Sequence, residues 1–366
     1  MIAWMIYCVL VGVLLAGAAL VAIAWLAPRR AWIAKLVRPT AIAVTFVGSS
    51  IFLIFALEAF LFLRFKDVQI GSASSPSGYT FYRNYHTNSE GFRDSERTLE
   101  KPPGTFRIMV VGDSVTFGSG VRNVEDVYPQ RLQSILDRAM PSVDIEVINA
   151  ALKGWSTQQQ LDFLTEKGWA YSPDVLVLGY YLNDPETPET KEAVSRAAEN
   201  ALILPYPYGK YLYATSFTFY IATQRLNTLL PSIFGYRFPW KDHDYIEHIH
   251  NAENLVDHRR ILERLMDGAA QHKTPMVVLL FPHMFAVRND PYPYQRMHEH
   301  VRETAESKGV TVIDLLEPLR ASSIEDFTVS QFDGHPNEAV HEVAAEKLFA
   351  TLEELHLLPS PQNRVR

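Results

Sequence analysis

The chain has very little cysteine: one residue, Cys8, in 366. A lone thiol cannot form an intramolecular disulfide, and without a Cys-x-x-Cys pair there is neither a zinc ribbon nor a dithiol redox motif. An excess of basic charge is also missing. Lys and Arg number 34 against 41 Asp and Glu, a formal net charge of -7, which gives no support to a nucleic-acid-binding face. No internal repeat or long low-complexity segment interrupts the soluble part. Charge of either sign is absent from Ile2 to Pro28, and no basic region precedes that run, which argues against a cleaved signal peptide.

The uncharged run exceeds the about 20 residues that a helix needs to cross a bilayer. A second apolar run, Pro39 to Leu63, contains one ionisable residue, Glu58. Between the two lie Arg29, Arg30, Lys35 and Arg38, a basic cluster expected to stay on the cytoplasmic side and outweighing Arg64 and Lys66 beyond the second run. The expectation is a transmembrane hairpin over residues 1–66, with spans at about 2–27 and 40–63, in the inner or plasma membrane. Both the N-terminus and the remainder of the chain are then extracytoplasmic, periplasmic in a Gram-negative cell. Glu58, costly in hydrocarbon unless paired, is expected to snorkel or face the other helix, or else to mark a membrane-protein partner.

Residues 67–104, with GSASSPSG and NSEGFRDSERTLEKPPG, read as an extended connector. From residue 105 to 356, short β-branched runs alternate with helical patterns, and 357–366 form a tail. Strands are expected at 106–111, 144–149, 174–180, 275–281 and 309–313. Helices are expected at 127–139, 157–169, 251–271, 291–307 and 337–354. Runs such as VLVLGY and MVVLLF are apolar throughout, as parallel strands covered on both faces must be. The fold class is α/β, an open parallel sheet between helical layers, and such sheets bind ligands beyond the carboxyl ends of their strands.

Those ends carry the chemistry. The first expected strand runs into GDSVTFGSG, with Asp113 and Ser114. By itself GDS is a weak signal, since Asp and Ser also cap helices and Gly also makes turns. The second strand is followed by NAALKGWST with Gly154, the third by YLND with Asn183 and Asp184, and FDGHPN places Asp333 and His335 before the last helix. A hydroxyl, an unobstructed backbone donor, an amide, an imidazole and a carboxylate are the parts of covalent acyl transfer.

These four ordered blocks, spread over about residues 104–355, resemble the SGNH or GDSL-type hydrolases. The resemblance implies a three-layer α/β/α sandwich of flavodoxin-like type and a serine esterase or the related O-acyltransferase, with no cofactor and no metal. It implies Ser114 as nucleophile, His335 as general base and then acid, and Asp333 orienting His335. The oxyanion hole falls to the backbone N–H groups of Ser114 and Gly154 and the amide of Asn183. Two departures stand out. Tyr181 occupies the position of the usual glycine in the third block, and the last block is Asp-x-His where Asp-x-x-His is common. Counting three back from His335 gives Phe332, so Asp333 is the available carboxylate.

Around this set, Asp113 is expected to shape the nucleophile turn and Asp184 its own loop or Asn183. Asp314 reads as a cap, and His283 either binds substrate or satisfies a loop carbonyl. His243, His248 and His250 lack a ligand spacing for a metal. Residues 185–250, rich in Tyr, Phe and Trp with a helix expected at about 210–230, form a lid, a groove wall, a membrane-surface element or a satellite core. The expected partners are an acyl ester on a small molecule, lipid or glycan, and the bilayer. The competing expectation is a glycan-binding or assembly protein that keeps the fold without strong turnover.

Overall fold

The computed structural model describes residues 31–65, 85–192, 212, 215–234, 242–330 and 333–359. Its centre is a five-stranded, wholly parallel sheet in the order β2-β1-β3-β4-β5, formed by β1 (Thr105–Gly112), β2 (Asp144–Ala151), β3 (Val175–Tyr180), β4 (Met276–Leu280) and β5 (Thr311–Asp314). In chain order the described helices are α1 (Ala31–Phe65), α2 (Ser114–Phe117), α3 (Tyr128–Ala139), α4 (Thr157–Glu166), α5 (Phe217–Phe234), α6 (Asp242–Ile249), α7 (Ala252–Gln271), α8 (Gln295–Ser307), α9 (Leu316–Ala321) and α10 (Glu338–Glu354). A short antiparallel pair, β6 (Thr328–Ser330) and β7 (Asp333–Pro336), precedes α10.

The period of two along each strand divides the core into layers. Ile108, Val110, Val175, Val177, Val277 and Leu279 face α3 and α10. Met109, Val111, Leu176, Leu178, Val278 and Leu280 face α4, α7 and α8. Both faces are covered, which is why the strands are apolar at every position; each such side chain contributes about 1.5–3 kcal/mol on burial. A third cluster joins Ile246 and Ile249 of α6 to Leu182, Tyr292, Tyr294 and Met297, so this end of the long insertion packs as a satellite core.

The strands fall within two residues of their expected places; the helices differ more. The expected helix 157–169 ends at Glu166, and Gly168–Tyr171 continue as a 3-10 turn. The expected helix from 291 starts at Gln295, because Pro291 and Pro293 precede it and restrict the residues before them. Within the described residues helix α1 already runs from Ala31, nine residues before the expected span, and carries Pro39 inside it. The preceding Ala, Leu and Lys residues are good helix formers, and the apolar stretch beyond carries the helix on past the bond that the proline removes. Thr45–Phe65 is long and apolar enough to cross a membrane, with a mean hydropathy of 2.2 and only 6% of its window buried. The expected first span, 2–27, lies outside the described residues, as do 67–84 of the connector and 360–366 of the tail.

The described half of the connector packs on the sheet. Arg107, fully buried on β1, donates to Glu146, to the carbonyls of Leu99 and Tyr171 and to Thr98. Lys101 pairs with Asp174, and the Asn149 amide donates to Asp94. Buried groups of this kind must be paired, and residues of the connector supply the partners.

Candidate active site

Because every strand runs the same way, the carboxyl ends of β1 to β4 place Ser114, Gly154, Asn183 and His283 along one edge of the sheet. Gly112 and Gly179 are neighbours in register there. A Cβ on either would come within 2.1 Å of the Thr116 hydroxyl, so only glycine lets α2 sit directly over the strand ends. Asp113 caps α2: its carboxylate accepts from the Val115 amide at 2.8 Å and, more distantly, from the Ser114 hydroxyl at 3.4 Å. The sharp exit from β1 therefore holds the Ser114 side chain at the surface of the edge, half-buried.

Strand β7 brings in the other two groups. The Ser114 Oγ lies 2.9 Å from His335 Nε2, and His335 Nδ1 lies 2.5 Å from Asp333 Oδ1, an oxygen that also accepts from the His335 amide at 3.0 Å. With Nδ1–H donating to the carboxylate, Nε2 is left to accept from the serine. Burial favours the neutral imidazole, but the charge and hydrogen bond of Asp333, then the charge of Asp113, outweigh it and raise the His335 pKa above its ordinary 6.5. Serine, imidazole and carboxylate in this order can move a proton off the hydroxyl and stabilise the resulting imidazolium.

Gly154 has φ +72°, a left-handed conformation suited to glycine, and its carbonyl accepts from Lys191 Nζ at 2.7 Å. The Asn183 side chain hydrogen-bonds toward Asp113. Its loop is held from two sides. Asp184 accepts from Gln160 and from the Tyr181 amide, while the His250 ring bonds the Leu182 carbonyl at 2.7 Å. Burial, and then the nearby Asp113 charge, push the Asp184 carboxyl well above the usual range. Tyr181 packs its ring against the core. The His283 amide donates to the Tyr292 hydroxyl, and its ring sits 5.1 Å from that of Tyr294. Asp314 is turned elsewhere, accepting from His298, Arg302 and the Leu316 amide.

The structure adds residues that the motif blocks do not contain. The Tyr85 hydroxyl accepts from the Gly120 amide at 2.6 Å, and the Tyr85 ring packs edge-on to Phe117 of α2. Arg93 stacks over Tyr85 and donates to the carbonyls of Gly118 and Arg122. Lys153 Nζ lies 4.2 Å and 4.7 Å from the Tyr85 and Phe117 ring centres. Burial and the Arg93 charge push this ammonium down to about 8. The connector thus braces the turn that carries Ser114 and joins it to the Gly154 loop. The signal for Arg93 was the GFR of the connector, which carries no chemistry as a motif and reads as linker.

The profile of the GDSL-like Lipase/Acylhydrolase family matches residues 110–343. No curated protein matches the chain. Among solved structures it is similar to TesA, at 15% identity over 69% of this chain and 99% of that one, with a TM-score of 0.41. It is similar also to a two-domain esterase, CEX, active on acetylated mannans, at 15% identity over 71% of this chain and 53% of that one, with a TM-score of 0.42. A third is a mutant of Axe2, an acetyl-xylooligosaccharide esterase from Geobacillus Stearmophilus, at 15% identity over 71% and 97%, with a TM-score of 0.43. Likenesses this distant give no account of a substrate.

Proposed function

The chain belongs to the GDSL-like lipase/acylhydrolase family, and from that premise we propose that it is a membrane-anchored serine esterase or O-acyltransferase acting through a Ser114 acyl-enzyme. The observation that carries this reading is the hydrogen-bonded series Ser114 Oγ, His335 Nε2, His335 Nδ1, Asp333 Oδ1. In the first step the Ser114 oxygen bonds to the ester carbonyl carbon while its proton passes to His335 Nε2. The oxyanion of the tetrahedral intermediate sits against the Ser114 and Gly154 amides and the Asn183 side chain. Collapse expels the alcohol, which takes the proton back from His335, and leaves the acyl group on Ser114. Water or a second alcohol then repeats the sequence in reverse, giving the hydrolase or the transferase.

The substrate in this proposal is an ester outside the cytoplasm, an acylated envelope glycan or a lipid. The placement is supported by the apolar stretch Thr45–Phe65 and by Arg29, Arg30, Lys35 and Arg38 before it, four basic residues against Arg64 and Lys66 at its far end. The test is covalent trapping: an alkyl phosphonate is expected to add stoichiometrically to Ser114, located by peptide mass mapping, and to abolish hydrolysis of short acyl esters. An unlabelled Ser114 alongside full hydrolysis would sink the mechanism.

Asn183→Ala tests the oxyanion assignment. Loss of one such donor lowers kcat by roughly 100- to 1,000-fold, about 3–4 kcal/mol, with KM little changed. Thermal melting of the variant should stay within a few degrees of wild type. A kcat within threefold of wild type would remove Asn183 from the hole.

A further inference from the structure

Helix α1 carries Glu58 inside its membrane-length window, seven positions before Phe65, which is roughly 10 Å of helix short of that end. The side chains around it are open: Leu57 is 46% exposed, Phe60 63% and Leu63 69%. Glu58 itself is half-buried, because residues 216–225 of the insertion belong to the same compact unit and meet it there. Its carboxylate accepts from the Ser216 hydroxyl and from the backbone amides of Phe217 and Thr218, each at 2.8 Å. Phe217 packs its ring against Phe62 and Phe65.

The remaining donors of that helix start are also satisfied. The Ser216 hydroxyl accepts from the Phe219 amide at 3.1 Å, and the Ser216 carbonyl accepts from Tyr220 at 2.9 Å. The first amides of a helix in water are ordinarily left to solvent or to one capping side chain. Here the three first-turn amides, Phe217 to Phe219, are all closed by side chains, two of them by a carboxylate from another helix, and Tyr220 makes the first intrahelical bond. Complete internal satisfaction is the condition for backbone in hydrocarbon, where an unpaired amide costs several kcal/mol. It also explains how an apolar span tolerates Glu58, since the carboxylate is neutralised by three donors and by the positive end of the helix it caps. The segment from Phe217 to Arg225 contains no charge before Arg225, and roughly 12 Å of helix is enough to return that guanidinium to headgroup level.

We propose that residues 216–225 form a re-entrant helix start seated in the outer leaflet of the bilayer and latched to the anchor by Glu58, so that the insertion contacts lipid beside α1. This rests on the membrane-anchored reading. The occupant of the exposed side is phospholipid acyl chain, the same medium that covers Leu57, Phe60 and Leu63.

The test uses full-length protein in a Cys8→Ser background, reconstituted in phosphatidylcholine–phosphatidylglycerol vesicles, with a nitroxide on Ala222→Cys and, separately, on Phe52→Cys within α1. Power-saturation measurements compare collision with oxygen, which concentrates in lipid, and with a nickel chelate, which stays in water. Both labels are expected to favour oxygen several-fold, and Glu58→Ala is expected to reverse the ratio at Ala222 while leaving Phe52 lipid-like. A water-like Phe52 label would refute the anchor. A lipid-like Phe52 with a water-like Ala222, or an Ala222 label shielded from both reagents, would overturn the re-entrant placement and leave the anchor standing. An unchanged ratio at Ala222 in Glu58→Ala would overturn the latch, and a label on Phe219→Cys in wild type guards against local disturbance by the first probe.

Discussion

Ser114→Ala is expected to lower kcat/KM for a short acyl ester by about a million-fold, to a residual rate set by the oxyanion donors and by binding alone. The hydroxyl lies 2.9 Å from His335 Nε2 and is half-buried at the mouth of the edge, so its removal deletes the attacking atom and little packing. The turn itself survives, because the Val115 amide still donates to the Asp113 carboxylate and the Phe117 amide to the Asp113 carbonyl, and only the longer contact of 3.4 Å from the serine hydroxyl to that carboxylate is lost. Circular dichroism and melting temperature should therefore match wild type, which separates loss of chemistry from loss of fold. His335→Ala should fall nearly as far, and the double variant no further, since the two act as a unit. Esterase activity retained within tenfold in Ser114→Ala would mean that another group attacks, and would sink the Ser114 mechanism.

How much of this is visible without coordinates depends on the length of the element. The strand Val175–Tyr180 is legible because six consecutive buried positions leave no polar residue, and α7 because its apolar residues recur with helical period. The pair β6–β7 is not, since three and four residues are too few for a period of two, and FDGHPN reads as loop although Asp333–Pro336 is a strand. Within the site, Ser114 and His335 stand out as polar groups just past apolar elements, whereas spacing leaves the identity of the carboxylate open. Only the coordinates show Asp333 Oδ1 bridging the ring and the backbone amide of His335. Tyr85, Arg93 and Lys153 escape altogether, because their role is to brace a turn tens of residues away in the chain, and contacts of that separation leave no periodic trace. Glu58 is conspicuous as a charge in an apolar run, but its partner, Ser216, lies more than 150 positions away.

Asp333→Asn is expected to have the second large effect, through the tautomer of His335. In the native protein the carboxylate can only accept, so it fixes the hydrogen on His335 Nδ1 and leaves Nε2 to receive the serine proton. An asparagine amide can donate to Nδ1 instead, which places the hydrogen on Nε2, where it faces Ser114 and cannot take a proton. The expected loss in kcat is about ten-thousand-fold. Because one oxygen serves both the ring and the His335 amide, an NH2 group turned toward the ring gives up that backbone bond, so a modest fall in melting temperature is expected beside the loss of kcat. The pH profile supplies an independent reading. Wild-type kcat/KM should rise through the His335 pKa, which lies above 6.5 because the Asp333 charge overcomes the opposing effect of burial. Removing that charge leaves burial and the positive Lys153 opposed only by the smaller effect of the Asp113 charge, so the acid limb of the residual activity must move to lower pH. A variant that keeps most of its activity, with an unmoved acid limb, would show that a carboxylate other than Asp333 orients the histidine.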